Sequence, residues 1–298
     1  AQAIIQINFV AIKISLMQKI LAAVDFSEAS FNAVSYAAYL ANAFNCKLIV
    51  VHGYTGTDAI DDEPLVEVFD SVSDLETANL NYLTAQMNGL IRKYTVKIEG
   101  IVKKGKPVSV IKKIAASENV SLIIMGMKGR GKSNSIFGST TIDMIGKTEI
   151  PMIVVPEKAK YQPLQNIVVA IDIRDKKPVS RFKLLNELIK KYDPFLQILN
   201  VQKKDSDLTA DLISGKMRSG LIWDKYNHSF NIVESDDVEN GINNFLKKNP
   251  ADMLAMVAQK HNLLERVFSK SHTRAMTRQT KIPLLVLHPP KETKSMKK

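Results

Sequence analysis

Residues 19–27 read KILAAVDFS and residues 166–174 read NIVVAIDIR, so a run of small and β-branched apolar side chains ending in an aspartate occurs twice. Asp25 thereby matches Asp172. The correspondence continues in order: VKKGKPVSVI at 102–111 against VESDDVENGI at 233–242, then IPMIVVP at 150–156 against IPLLVLHP at 282–289. Ordered matches of this kind imply one unit written twice. A length of 298 residues, set against roughly 100 to 200 residues per domain, agrees with two domains. We place them at 17–157 and 166–290, joined by the polar stretch KAKYQPLQ at 158–165.

Within each unit, short β-branched runs alternate with longer amphipathic stretches, the pattern of βαβ units around a parallel sheet covered on both faces. The first unit should carry strands near 19–25, 47–53, 95–103, 121–126 and 151–155. In the second, strands fall near 166–172, 195–201, 229–234, 252–258 and 284–288, with helices starting near Val179, Ser206, Val238 and Ser271. Ser27 is placed to cap the first helix, which presents Ala33, Ala37, Leu40 and Ala41 on one face. The first unit is longer by about 16 residues; the excess lies in 55–75, read as a mobile loop leading into a helix.

Composition narrows the function classes. With 45% hydrophobic and 24% charged residues the chain reads as an ordinary soluble globular protein. Its apolar runs all fall short of the roughly 20 residues of a membrane span. The single cysteine, Cys46, excludes a disulfide framework and points to a reducing compartment, the cytoplasm by default. Residues 1–16 are apolar but lack a basic start and a clear cleavage site, which argues against a secretory signal and makes Met17 the expected start of the first domain. The net charge of +11 is spread over scattered lysines without interleaved aromatic residues, which argues against nucleic acid as a partner.

The chemistry concentrates in residues 121–140, SLIIMGMKGRGKSNSIFGST, where an apolar strand runs into Gly126, Gly129, Gly131 and Gly138 and a Ser/Thr cluster. Glycine lets the main chain approach an anion closely, so that successive N–H groups can surround a phosphate. Residues 126–133, GMKGRGKS, match the P-loop pattern literally, with Lys132 and Ser133 in the phosphate and magnesium roles. The residues after Ser133, which include Asn134, Ser135 and Gly138, are poor helix formers, and this weighs against a helix starting there. The other reading anchors the loop at Gly126, Gly129 and Gly138 and opens the last helix of the unit at Ser139.

Read that way, the chain resembles the universal stress protein family, as a tandem two-domain member, over residues 19–290. The resemblance rests on VDFSE after the first strand, VHG at the end of the second, the G-x-x-G…G-S loop after the fourth and the IP-apolar final strand. It implies two doubly wound units, each a five-stranded parallel sheet in the order 3-2-1-4-5. It also implies adenine nucleotide bound by the first unit: Asp25 by the adenine and ribose, the backbone of Gly53 near the base, and Gly126, Lys128, Gly129, Gly138, Ser139 and Thr140 around the phosphates. The nucleotide would be ATP, ADP or AMP, accompanied by Mg2+ or a similar cation. Stress adaptation through nucleotide-dependent conformation and a protein partner would follow, with slow hydrolysis at most. The family spacing has nine residues between the second glycine and G-[ST], whereas this chain has eight, 130–137. A loop one residue short has fewer amides to place. An interaction protein that binds no nucleotide therefore stands as an alternative, as does a P-loop ATPase. The second unit has Val257, Lys260 and Lys270 where the glycines belong. It is expected to bind no nucleotide in this manner, although Lys260, His261, Arg266, Lys270 and His272 could hold another anion.

Each residue also has a plainer role. An aspartate after a first strand often only caps the next helix, the reading favoured for Asp172, whereas Asp25 is assigned to ligand contact. Lys128 and Arg130 suit phosphate or solvent equally. His52 is read as structural, the remaining histidines show no metal spacing, and neither a catalytic triad nor a metal ligand set is assigned. Pro151 and Pro283 suggest final strands that meet a partner rather than extend a sheet. The halves should touch through them, with a further homodimer conceivable.

Overall fold

A computed structural model describes residues 17–55, 72–129, 137–173, 182–202, 223–257 and 282–288. The first unit runs β1 (Lys19–Ala23), α1 (Glu28–Phe44), β2 (Lys47–Tyr54), α2 (Val72–Lys93), β3 (Ile98–Lys104), α3 (Pro107–Ser117), β4 (Leu122–Gly126), α4 (Ser139–Lys147) and β5 (Met152–Val155). The second runs β6 (Asn166–Ala170), α5 (Lys183–Tyr192), β7 (Phe195–Gln202), β8 (His228–Glu234), α6 (Val238–Lys248), β9 (Met253–Val257) and β10 (Leu284–Leu287). Helices expected near Ser206 and Ser271 lie outside the described residues, as does the start expected at Val179.

The ten strands among the described residues belong to one sheet, in the order β3-β2-β1-β4-β5-β10-β9-β6-β7-β8. Each half keeps the order 3-2-1-4-5 with parallel neighbours. The halves meet where β5 pairs antiparallel with β10, Leu285 opposite Ile153. The halves thus touch through their final strands, as expected, but the strands do so by extending one sheet, which the prolines had argued against. Pro151 and Pro283 stand just before the strands and use only their carbonyls, which accept from Ile123 and Leu254; a missing N–H costs nothing there.

Alternation along the strands splits the core into two layers. Ile20, Ala22 and Val24 belong to the layer that holds α1, α2 and α5, whereas Leu21 and Ala23 belong to the layer of α3, α4 and α6. Helix α1 starts as expected: the Ser27 side chain accepts from the Ser30 amide at 3.2 Å. Its buried face carries Ala33, Ala37, Leu40 and Ala41, and side chains this small let the helix lie close to β1 and β4.

The linker is fastened at both ends. The Asn32 amide of α1 donates to the carbonyls of Pro156 and Ala159. Tyr161 stacks on Tyr39 at 3.7 Å, meets Tyr36 edge-on, and shares a hydrogen bond with Tyr192 of α5. Asp252 then accepts from the amides of Gln165 and Asn166.

Candidate functional site

Strand β1 lies between β2 and β4, which makes it the point where strand order reverses. Helix α1 leaves β1 toward one face of the sheet while α4 follows β4 on the other, which opens a crevice beyond the carboxyl ends of these strands. Asp25 stands at that edge. Its Oδ1 accepts from the Ser27 amide at 3.1 Å and the Ser27 hydroxyl at 2.6 Å, while its own amide donates to Ser30 Oγ. The carboxylate thus organises the turn into α1, the plainer of its two roles. Its second oxygen is turned elsewhere: Oδ2 lies 2.1 Å from where a β-carbon on Gly129 would stand.

Gly129 is therefore a position no side chain can occupy while Asp25 keeps its place. Gly138 comes up beside it, the space of its missing β-carbon lying 3.4 Å from the Gly129 nitrogen and 3.8 Å from the Lys128 α-carbon. The loop is tied at its base: Met127 N donates to Val155 O and Gly138 N to Met127 O, each at 2.8 Å. Gly138 is the N-cap of α4 and offers no side chain, so the helix opens at Ser139 and Thr140 with amides that no side chain among the described residues caps. Asp25, Lys128, Gly129, Gly138, Ser139 and Thr140 are thus brought together. Arg130, Gly131, Lys132 and Ser133 lie outside the described residues.

Two glycines answer to packing. At Gly126 a β-carbon would meet the Ala29 carbonyl of α1 at 3.0 Å, and the Gly126 carbonyl accepts from buried Thr141. Gly53 lies two residues past Val51, the register partner of Ala23, and so at the level of Asp25. Its side-chain space is filled by α3, with the Pro107 α-carbon at 3.0 Å and the Val110 β-carbon at 3.2 Å.

Several residues at this edge went unread in the sequence. Phe26 adopts φ 63°, a left-handed conformation that costs a bulky residue about 1–3 kcal/mol. Packing holds it there: its ring lies 4.1 Å from His52 and 5.0 Å from Tyr82 of α2, centre to centre. His52 is structural, as read; its Nδ1–H donates to Val24 O at 2.9 Å and the residue is buried. Tyr54 Oη and, on α2, both amide atoms of Asn79 are buried without a hydrogen-bond partner among the described residues. Each such group typically costs about 1–3 kcal/mol. No sequence signal marks Asn79, one polar residue on a mostly polar helix.

The family model of the universal stress protein family matches residues 17–156 and, again, 163–288. The chain belongs to that family. A universal stress protein from Archaeoglobus fulgidus DSM 4304 has the same fold, with a TM-score of 0.64 at 21% identity over 91% of this chain and 98% of its own. A putative universal stress protein from Pseudomonas aeruginosa UCBPP-PA14 gives 0.58 at 13% identity, over 92% and 94%. The universal stress protein in the QAH/OAS sulfhydrylase 3' region of Thermus aquaticus is 26% identical over 141 residues, 47% of this chain and 99% of its own length. No described helix is long and apolar enough to cross a membrane.

The second universal stress protein unit keeps the scaffold and changes the edge. Asp172 is exposed, and Asn200, at the position of His52, accepts from the Ile173 amide at 3.2 Å. Val201 stands where the first unit has Gly53, and Gly241 stands where it has Val110. A β-carbon on Gly241 would meet Val201 Cγ1 at 2.5 Å. The small and large partners of one strand–helix contact have therefore changed places between the units. Glu239, in the first turn of α6, is only 5% exposed, and burial, helped by neighbouring Asp237, pushes its carboxyl up to about 7. The cationic residues between 260 and 272 lie outside the described residues.

Proposed function

We propose that the first unit binds an adenine nucleotide, ATP, ADP or AMP, with Mg2+ or a similar cation beside the phosphates. The approach of the Asp25 carboxylate to Gly129 across the β1–β4 crevice carries this reading, because it joins the strand end that would meet the ribose to the loop that would hold the phosphates. Lys128 supplies a positive charge. The uncapped amides at Ser139 and Thr140 supply donors and the positive end of the α4 dipole. Gly126 and Gly53 take part through their backbones, their side-chain space being filled.

No catalytic group is assigned. Nucleotide occupancy would change the conformation of the loop and so the surface offered to a protein partner, in a cytoplasmic stress response, with a homodimer as a further assembly. Calorimetry with ATP and magnesium tests the reading: wild-type protein gives a saturable heat, Gly129→Val abolishes it, and Lys132→Ala largely keeps it. A magnesium-dependent ATPase lost on Lys132→Ala would favour the P-loop alternative, and no heat at millimolar ATP would favour an interaction protein without nucleotide.

A further inference from the structure

From the buried polar atoms of Asn79 on α2 and Tyr54 at the end of β2, unpartnered among the described residues, we infer that Asn79 and Tyr54 recognise the base of the bound nucleotide, Asn79 pairing with the 6-amino edge of adenine; the inference rests on the nucleotide reading above. Asn79 is 1% exposed and Tyr54 0%, and neither Nδ2 nor Oδ1 of Asn79, nor Oη of Tyr54, has a hydrogen-bond partner among the described residues. Buried amides are almost always paired, and an amide with both ends unpaired calls for a ligand that donates and accepts side by side.

The surroundings define that ligand. Leu83 and Met87, one and two turns after Asn79, sit over Gly100 of β3. In the register of the sheet, His52 lies opposite Val102 and Tyr54 opposite Lys104. Because α2 runs back along the strands, Asn79 is carried toward their carboxyl ends, on the face that Tyr54 shares. Tyr82, three residues on, meets Phe26, and Phe26 meets His52. A planar heteroaromatic ring suits a sheet end carrying the rings of Phe26, His52, Tyr54 and Tyr82. Asparagine's paired acceptor and donor match the amino group and adjacent ring nitrogen of adenine. Phe26 follows Asp25 in the chain, so a base beside these rings would leave its ribose and phosphates directed toward Gly129. A β-carbon-free Gly53 is not required for this, consistent with α3 filling that space.

The test compares ATP with purine riboside triphosphate, which lacks only the 6-amino group, by calorimetry on the full chain with magnesium. Wild-type protein should bind ATP at least about tenfold more tightly, as expected for a buried hydrogen bond to a substrate group. Asn79→Leu, which keeps the volume, should remove that preference and melt no lower than wild type. Tyr54→Phe, which deletes one oxygen, should weaken ATP several-fold. Equal affinity of wild type for the two triphosphates, or an undiminished preference in Asn79→Leu, overturns the assignment while leaving nucleotide binding intact. Failure of wild type to bind either at millimolar concentration overturns the nucleotide reading and this inference together.

Discussion

The carboxylate of Asp25 fills the space that a side chain on Gly129 would need, with Oδ2 2.1 Å from the position of the absent β-carbon. The two residues are more than a hundred positions apart in sequence, and their approach joins the end of β1 to the loop after β4. It explains why the loop needs a glycine there for a reason besides anion approach. In the Asp25 environment Gly129→Ala should cost about 1–3 kcal/mol, as overpacking does. In an Asp25→Gly background the same change should cost much less. Urea melts of the four proteins measure this, and additive effects would show that the contact does not govern the loop.

The exchange of glycine and valine between the units predicts a second coupling. Gly53→Val and Val110→Gly should each destabilise the protein, the first by overpacking against α3 and the second by leaving a void and weakening the helix. Together they rebuild the arrangement found at Val201 and Gly241. The double variant should recover about 0.5–3 kcal/mol relative to the sum of the single changes. A double-mutant cycle by chemical denaturation checks this.

Glu239 gives the second unit a pH dependence of definite sign. Its carboxyl is raised from 4.5 to about 7, chiefly by burial and then by Asp237. The folded state therefore holds a proton that the unfolded state releases above the ordinary carboxylate range, and stability falls as pH rises from about 4.5 to about 7, then levels off. Glu239→Gln should remove that decline. Thermal melts at a series of pH values compare the two slopes.

Much of the fold was legible because its periodicities are strong. The alanine stripe of α1, the Ser27 cap and the Val238 start of α6 follow from pattern and repeat, whereas the strand order was implied by the family resemblance. Local signals failed where one residue type serves two purposes. Glycine at 53 and 126 suits both a ligand and a close helix, and the packing role shows only from the positions of Val110 and Ala29. Proline near the final strands suggested edges that stop, yet Pro151 and Pro283 stand outside the ladder. Phe26 at positive φ has no sequence signature, since its conformation is imposed by His52 and Tyr82 from other elements. Asn79 escaped for the same reason: a polar residue on a polar helix becomes conspicuous only when burial is known.

Mass spectrometry of the small molecules released when freshly purified wild-type protein is denatured tests the central claim most directly. The account predicts an adenine nucleotide in an amount comparable to that of the chain, absent from the Gly129→Val protein purified alongside. Wild-type protein that releases none, and that takes up none from millimolar ATP with magnesium, would contradict it.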